Sequence, residues 1–181
     1  SNNGDPAKFY AFPKGGVSWN LTQMGILSNG IFDNFKLRAA YGQAGNFPVY
    51  GSKFTSLVLA NIEGSPGSVI STQQGQPGIK PERQTEIEAG LDFSVLDGKL
   101  NFEFTFYNKK VFDFLMLDNL QASSGFSSKW VNAGDLRNQG IELGLNAQPL
   151  NNRDFKWNTT VNFWMNRSKV TRLSIQPVQL G

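Results

Sequence analysis

The sequence predicts an all-β chain folded as an antiparallel up-and-down meander, and three observations carry that prediction. Apolar and polar residues alternate over 85–95 (Ile87, Ala89, Leu91, Phe93, Val95 against Glu86, Glu88, Gly90, Asp92, Ser94). They alternate again over 100–107, with Leu100, Phe102, Phe104 and Phe106 on one side. Period two marks a strand with one apolar and one polar face. Between the runs stands Asp97-Gly98, the pair that a type I′ hairpin turn favours because both central residues need positive φ. The composition agrees, with 19 glycines and 15 phenylalanines in 181 residues and neither cysteine nor histidine.

In chain order, residues 1–16 read as loop and 16–21 as a short strand. A turn region follows, with Gly25, Gly30 and Asp33-Asn34. The next strand covers 35–43, with Phe35, Leu37, Ala39 and Tyr41 on one face. Residues 44–83 read as a long connection rich in Gly, Ser, Pro, Asn and Gln; connections of that length are usually functional or disordered. The main hairpin spans 84–110. Pro81-Glu82 at its start permits no more than a short helical turn. Its turn sets the register: Val95 faces Leu100, Phe93 faces Phe102, Leu91 faces Phe104 and Ala89 faces Phe106. On the polar side Glu86 faces Lys109. Asp92 falls opposite Glu103, a like-charge pair that only a wet or cation-lined face tolerates. Lys36 or Arg38 is the candidate cation. Residues 111–134 read as a second long connection, 138–147 as a strand, 149–153 as a short turn and 155–165 as the last strand. There Trp164 is the one misfit, an indole on the polar side.

Strands of about ten residues match what a tilted strand needs to cross a bilayer. Short turns at one end and long connections at the other are typical of membrane barrels. The mean hydropathy of −0.33 excludes overall greasiness. No run of 18 apolar residues exists, so no transmembrane helix is expected, a result that does not bear on barrels, where alternation hides the signal. Trp19, Trp130 and Trp157 lie near strand ends, where aromatic girdles form. Six strands do not close a membrane barrel, and Val178 to Gly181 lack the aromatic ending of a last barrel strand. The chain is therefore expected to be an internal piece of a larger barrel. Its first residues carry no signal peptide, so either the protein is not exported or the chain begins downstream of a removed or missing segment.

The net charge is +3, with basic residues scattered and no stripe suited to nucleic acid. No metal-ligand spacing, phosphate loop or nucleophile motif is present. Asn20-Leu21-Thr22 and Asn158-Thr159-Thr160 match a glycosylation pattern by chance. Glu86, Glu88, Asp92, Glu103 and Glu142 read as solvated charges on the polar faces, with Lys109 among them, in preference to a catalytic carboxylate pair. Tyr50 and Phe54 in the first long connection, and Phe126 and Trp130 beside the second, are the candidate rings for contact with a substrate or a partner.

Several segments resemble a known family. Residues 35–46 (FKLRAAYGQAGN), Ile79-Lys80-Pro81-Glu82 with Gly90-Leu91-Asp92-Phe93, Tyr107-Asn108-Lys109-Lys110, residues 132–143 (NAGDLRNQGIEL) and 154–170 are similar, in order, to barrel segments of SusC/RagA-type TonB-linked outer-membrane transporters. That resemblance implies part of a barrel of roughly 22 strands, with the plug domain, TonB box and closing strands absent. It further implies import of large nutrients, oligosaccharides or peptides, across the Gram-negative outer membrane, with a SusD-like surface lipoprotein as lid and TonB supplying energy through a segment not present here. It implies no enzymatic activity and no cofactor. On that reading Glu86, Glu88, Asp92, Glu103, Lys109 and Glu142 line the lumen and the apolar faces meet lipid. The alternatives are a soluble or cell-surface glycan-binding β module and, more remotely, a glycosidase fragment.

Overall fold

A computed structural model describes residues 9–27 and 30–174. Among them nine strands form: β1 (Lys14–Asn20), β2 (Asn34–Asn46), β3 (Leu57–Ile62), β4 (Ser65–Ile70), β5 (Gln73–Gln74), β6 (Glu82–Val95), β7 (Leu100–Asn119), β8 (Ser128–Asn151) and β9 (Lys156–Leu173). β1, β2, β6, β7, β8 and β9 lie side by side in that order as an antiparallel meander. β3 and β4 pair only with each other, and β5 adds a two-residue parallel bridge to β8.

The hairpin register follows the alternation. Val95 pairs with Leu100, Leu91 with Phe104, Asp92 with Glu103 and Glu86 with Lys109. The Lys99 N–H donates to the Leu96 carbonyl at 3.2 Å, and Leu96, Asp97 and Gly98 all have positive φ, at 60°, 54° and 74°; a type I′ turn asks this of its two central residues, and here Leu96 shares it. The Asp33 carboxylate accepts the Gly98 N–H at 2.8 Å, tying this turn to the β1–β2 connection.

Three expectations are corrected. The segment 111–134 is mostly strand, because β7 runs to Asn119 and β8 begins at Ser128. A bulge hides this from a period-two reading: the pairing shifts between Val111 and Phe114, where Asp113 has φ 53°, and Gly134 sits opposite with φ 151°. A bulge adds one residue and reverses the phase of every side chain beyond it. The segment 44–83 contains the β3–β4 hairpin, turned by Glu63 and Gly64, both at positive φ. The turn near Asp33 belongs to a longer connection between β1 and β2, in which the Leu21 N–H donates to Phe35 O and the Ile26 N–H to Leu21 O. No helical turn forms at Pro81-Glu82, since β6 begins at Glu82. Val178–Gly181, expected to lack the ending of a last barrel strand, lie outside the described residues.

The sheet therefore has a lower end, with tight turns at 96–99 and 152–155, and an upper end carrying 47–81 and 120–127. The strand pairings lay residues in rows across it. On one face these read Val17–Ala39–Ala89–Phe106–Ile141–Met165, Trp19–Leu37–Leu91–Phe104–Leu143–Phe163 and Phe35–Phe93–Phe102–Leu145–Val161. Phe93 stacks against Phe35 and Phe102, with ring centroids 6.5 and 5.0 Å apart. On the other face they read Lys36–Asp92–Glu103–Gly144–Asn162 and Arg38–Gly90–Thr105–Glu142–Trp164.

Among the described residues nothing covers the apolar face. Leu37, Ile87, Phe106, Val161, Phe163 and Met165 are all exposed, whereas Ile79, Val111, Val131 and Ala133, near the upper end of the sheet, are buried. A soluble β module hides such a face under a second layer.

Candidate functional site: the hydrophilic face and the upper rim

The hydrophilic face is organised around Asp92. Arg38 donates from Nε at 3.1 Å and from its terminal amine at 2.8 Å to Oδ1, and Lys36 Nζ lies 3.2 Å from Oδ2. These two cations offset the like-charge pair Asp92–Glu103 from the neighbouring strand. Arg38 continues to the Thr105 hydroxyl at 3.2 Å and lies 3.7 Å from Glu88. Gly90 makes this possible: a Cβ there would come within 2.8 Å of the Arg38 guanidinium carbon. A hydroxyphenyl ring uses the same device two residues up β7, where Tyr107 lies across Gly140.

The other sequence-selected charges share this face but not this cluster. Glu86 stands opposite Lys109, and Glu142 stands between Thr105 and Trp164. Glu103 borders Gly144 and Asn162. A recess of about 350 Å³ lies among Glu103, Thr105, Glu142, Gly144, Asn162 and Trp164. Thr105 and Asn162 carried no signal in the sequence beyond their place on the polar side of a strand.

The upper rim holds the candidate aromatics. Tyr50 and Phe54 are 82% and 66% exposed, while Phe126 and Trp130 are half-buried. Residues 71–75 bridge the two groups. The Ser127 N–H donates to Thr72 O at 2.8 Å, β5 pairs with Ser128–Lys129, and the Gly75 N–H donates to Thr55 Oγ1 at 2.9 Å. Phe47 packs edge-on against Tyr10, centroids 5.8 Å apart. Trp130 stands opposite Leu117, above the bulge of the β7–β8 pair, whereas Trp19 and Trp157 sit toward the lower end of the apolar rows.

A second polar cluster, without a role in the sequence reading, fastens the rim to the sheet. The Asn132 amide accepts the Lys80 N–H at 2.9 Å and donates to the carbonyls of Lys80 (2.9 Å) and Asp113 (2.8 Å). Asp135 accepts the Asp113 N–H at 3.1 Å and two bonds from Arg172 at 2.8 and 3.0 Å. Arg172 also reaches Asp113 Oδ1 at 3.1 Å. The guanidinium holds the Asp135 carboxyl below the usual aspartate range, helped by the Asp113 N–H. The segments Ile79-Lys80-Pro81-Glu82 and Asn132-Ala133-Gly134-Asp135, far apart in sequence, thus meet at the bulge, with Ile79 and Ala133 buried. Among the described residues no group of His, Cys, Asp and Glu is arranged to hold a metal.

One uncovered meander, apolar on one face and charged on the other, defines a segment of a β-barrel wall. Comparison with known proteins narrows this: residues 1–175 match the family model for the TonB dependent receptor-like, beta-barrel, and the chain belongs to that family. It is 31% identical over 178 residues to TonB-dependent receptor P3 of Formosa agariphila, covering 96% of this chain and 18% of that protein. It is 26% identical to TonB-dependent receptor SusC of Bacteroides thetaiotaomicron, covering 90% of this chain and 17% of that protein. Among solved structures, the RagAB peptide transporter superposes with a TM-score of 0.84 at 26% identity, over 95% of this chain and 19% of that one. The chain thus spans about a fifth of the length of the relatives it matches. The family and these relatives carry the names of receptors and transporters rather than enzymes.

Proposed function

We propose that these residues form part of the wall of a SusC-like, TonB-dependent importer in the outer membrane of a Gram-negative bacterium. The importer takes up a large nutrient, oligosaccharide or peptide, beneath a SusD-like surface lipoprotein, with TonB as the energy source. The single observation carrying this reading is the uncovered apolar band on a one-sheet wall. Burying such a band in acyl chains recovers about 25 cal/mol per Å² of apolar surface removed from water. On this reading the apolar rows meet lipid, and Glu86, Glu88, Asp92, Glu103, Lys109 and Glu142 border the aqueous conduit. Tyr50, Phe54, Phe126 and Trp130 at the upper rim contact substrate or lid, the two exposed rings first. The names of the solved RagAB transporters support peptide as cargo.

Nitroxide labels at Leu91, Phe104 and Val161 in the full-length protein in liposomes test this. They should be relaxed by oxygen and shielded from a water-soluble nickel chelate, with labels at Glu86 and Glu142 showing the reverse. Chelate access at the first three sites, or protein shielding from both reagents, would remove the barrel reading.

A further inference from the structure

We propose that Trp164, Glu142 and Glu103 form a subsite for an organic cation, the guanidinium or ammonium side chain of a polypeptide. The inference rests on the reading above, that this face borders the aqueous conduit, and adds the chemistry one part of it selects.

Trp164 is the observation to be explained. It stands on β9, the outermost described strand, on a face whose other residues in the same row are Ser18, Arg38, Gly90, Thr105 and Glu142. Trp19 and Trp157, by contrast, stand on the apolar side. An indole on a hydrophilic face presents a flat π surface to whatever passes. Glu142 is its direct partner on β8, so the two side chains leave the sheet together. In the adjacent row Gly144 supplies a floor without a side chain. A Cβ there would lie 3.9 Å from a Glu103 carboxylate oxygen and 3.7 Å from Asn162 Oδ1, so both side chains lean in from opposite sides. The recess these groups share is about 350 Å³.

The local charge decides the ligand. Lys36 and Arg38 make their shortest contacts with Asp92; Arg38 also lies 3.7 Å from Glu88, reaches the Thr105 hydroxyl, and attracts Glu103 at longer range, while Glu142 lies outside this cluster. Among the described residues neither Glu103 nor Glu142 has an ion pair. Two carboxylates with no ion pair among the described residues, Glu142 the more isolated of them, therefore flank a ring whose face is itself negative. A cation gains from all three groups, by stacking on the indole and by charge-assisted hydrogen bonds. A neutral sugar gains from the ring but leaves the carboxylate charge unused, and an anion is repelled. The planar guanidinium fits best, since it stacks and also meets a carboxylate with two parallel donors. The source is either cargo peptide or another stretch of the transporter's own polypeptide.

The test uses the full-length transporter in nanodiscs. The probes are dye-labelled Ala-Arg-Ala, Ala-Lys-Ala, Ala-Gln-Ala and Ala-Glu-Ala, with maltotriose as competitor. If cargo supplies the cation, the arginine peptide binds tightest and the lysine peptide next. W164A and E142Q then weaken the arginine peptide about tenfold or more, W164F largely restores it, and glutamine-peptide binding does not change. If the polypeptide itself supplies the cation, no probe responds to W164A. Instead E142Q and W164A, but not W164F, lower the unfolding temperature of the empty transporter, and the loss shrinks in high salt. Either result supports a cation subsite. Selective competition by maltotriose, preference for the glutamate peptide, or indifference of both binding and stability to E142Q overturns it. If these arms fail while the labels at Leu91, Phe104 and Val161 report lipid, the subsite is wrong and the barrel reading stands. Chelate access at those labels removes both.

Discussion

Two glycines of one strand show how a single Cβ is tolerated or refused. At Gly140 an added Cβ would meet the Met165 carbonyl oxygen of β9 as well as the Tyr107 ring. The ring can swing aside, but the backbone oxygen cannot without breaking the β8–β9 ladder. At Gly144 the same atom meets nothing nearer than 3.7 Å. Gly140→Ala should therefore destabilise by about 1–3 kcal/mol through overpacking, whereas Gly144→Ala should stay within about 0.5 kcal/mol. Urea midpoints of the refolded protein in detergent check this, and equal effects would contradict the geometry. Arg38, Lys36 and Asp92 make the complementary case. Each pair is part-exposed and worth about a kcal/mol at most. Their larger effect is positional, because they fix two cations on Asp92, the carboxylate that faces Glu103 across the hairpin.

At the scale of elements, the bulge at Asp113 and Gly134 is where the wall changes character. Below it β7 and β8 alternate regularly; above it they carry the rim. Asn132 bridges Lys80 to Asp113 across this junction. Asn132→Ala would leave three backbone groups without a partner, at about 1–3 kcal/mol for each that stays buried. The expected outcome is faster amide exchange at Lys80 and through 47–81, with amides of the apolar rows unchanged; unchanged exchange at Lys80 would exclude an anchoring role. Asp135 lies three alternate positions above Ile141, outside the apolar band, and its pairing with Arg172 carries a pH dependence. Its folded-state pKa is lowered, mainly by the Arg172 hydrogen bond. The pair's contribution is therefore complete above the ordinary aspartate value near about 3.9 and is lost as pH falls through the lower folded value. Acidification below about pH 4 should separate the upper ends of β8 and β9, read as a lengthened spin–spin distance there. Asp135→Asn should already be separated at neutral pH and insensitive to acid.

For the whole molecule, the apolar band crosses the residue rows obliquely. On β2 it runs from Phe35 to Tyr41. On β9 it runs from Trp157 to Met165, although the row of Phe35 ends at Val161 and the row of Tyr41 ends at Arg167. A band parallel to a membrane cuts the rows this way only if the strands lean from the membrane normal. Polarised infrared spectra of the full-length protein in oriented bilayers should give a strand tilt of about 35–45°; strands along the normal would contradict the slant.

The sequence alone determined the strands whose apolar residues keep an unbroken period of two, the Asp97-Gly98 turn, and through that turn the facing pairs from Val95–Leu100 to Glu86–Lys109. Local steric rules suffice there, because so short a turn leaves one register. The order of family-like segments supplied the barrel assignment. The tertiary structure decided what local rules cannot reach. It set the register of β2 on β6 across residues 47–81, and hence which cations meet Asp92. It placed the bulge that carries β7 and β8 through a stretch read as loop. It brought the motifs around Lys80 and Asn132 together, and it set Trp164 opposite Glu142, with Glu103 across Gly144. Each of these depends on contacts between residues distant in the chain, which intervening loops permit but do not specify.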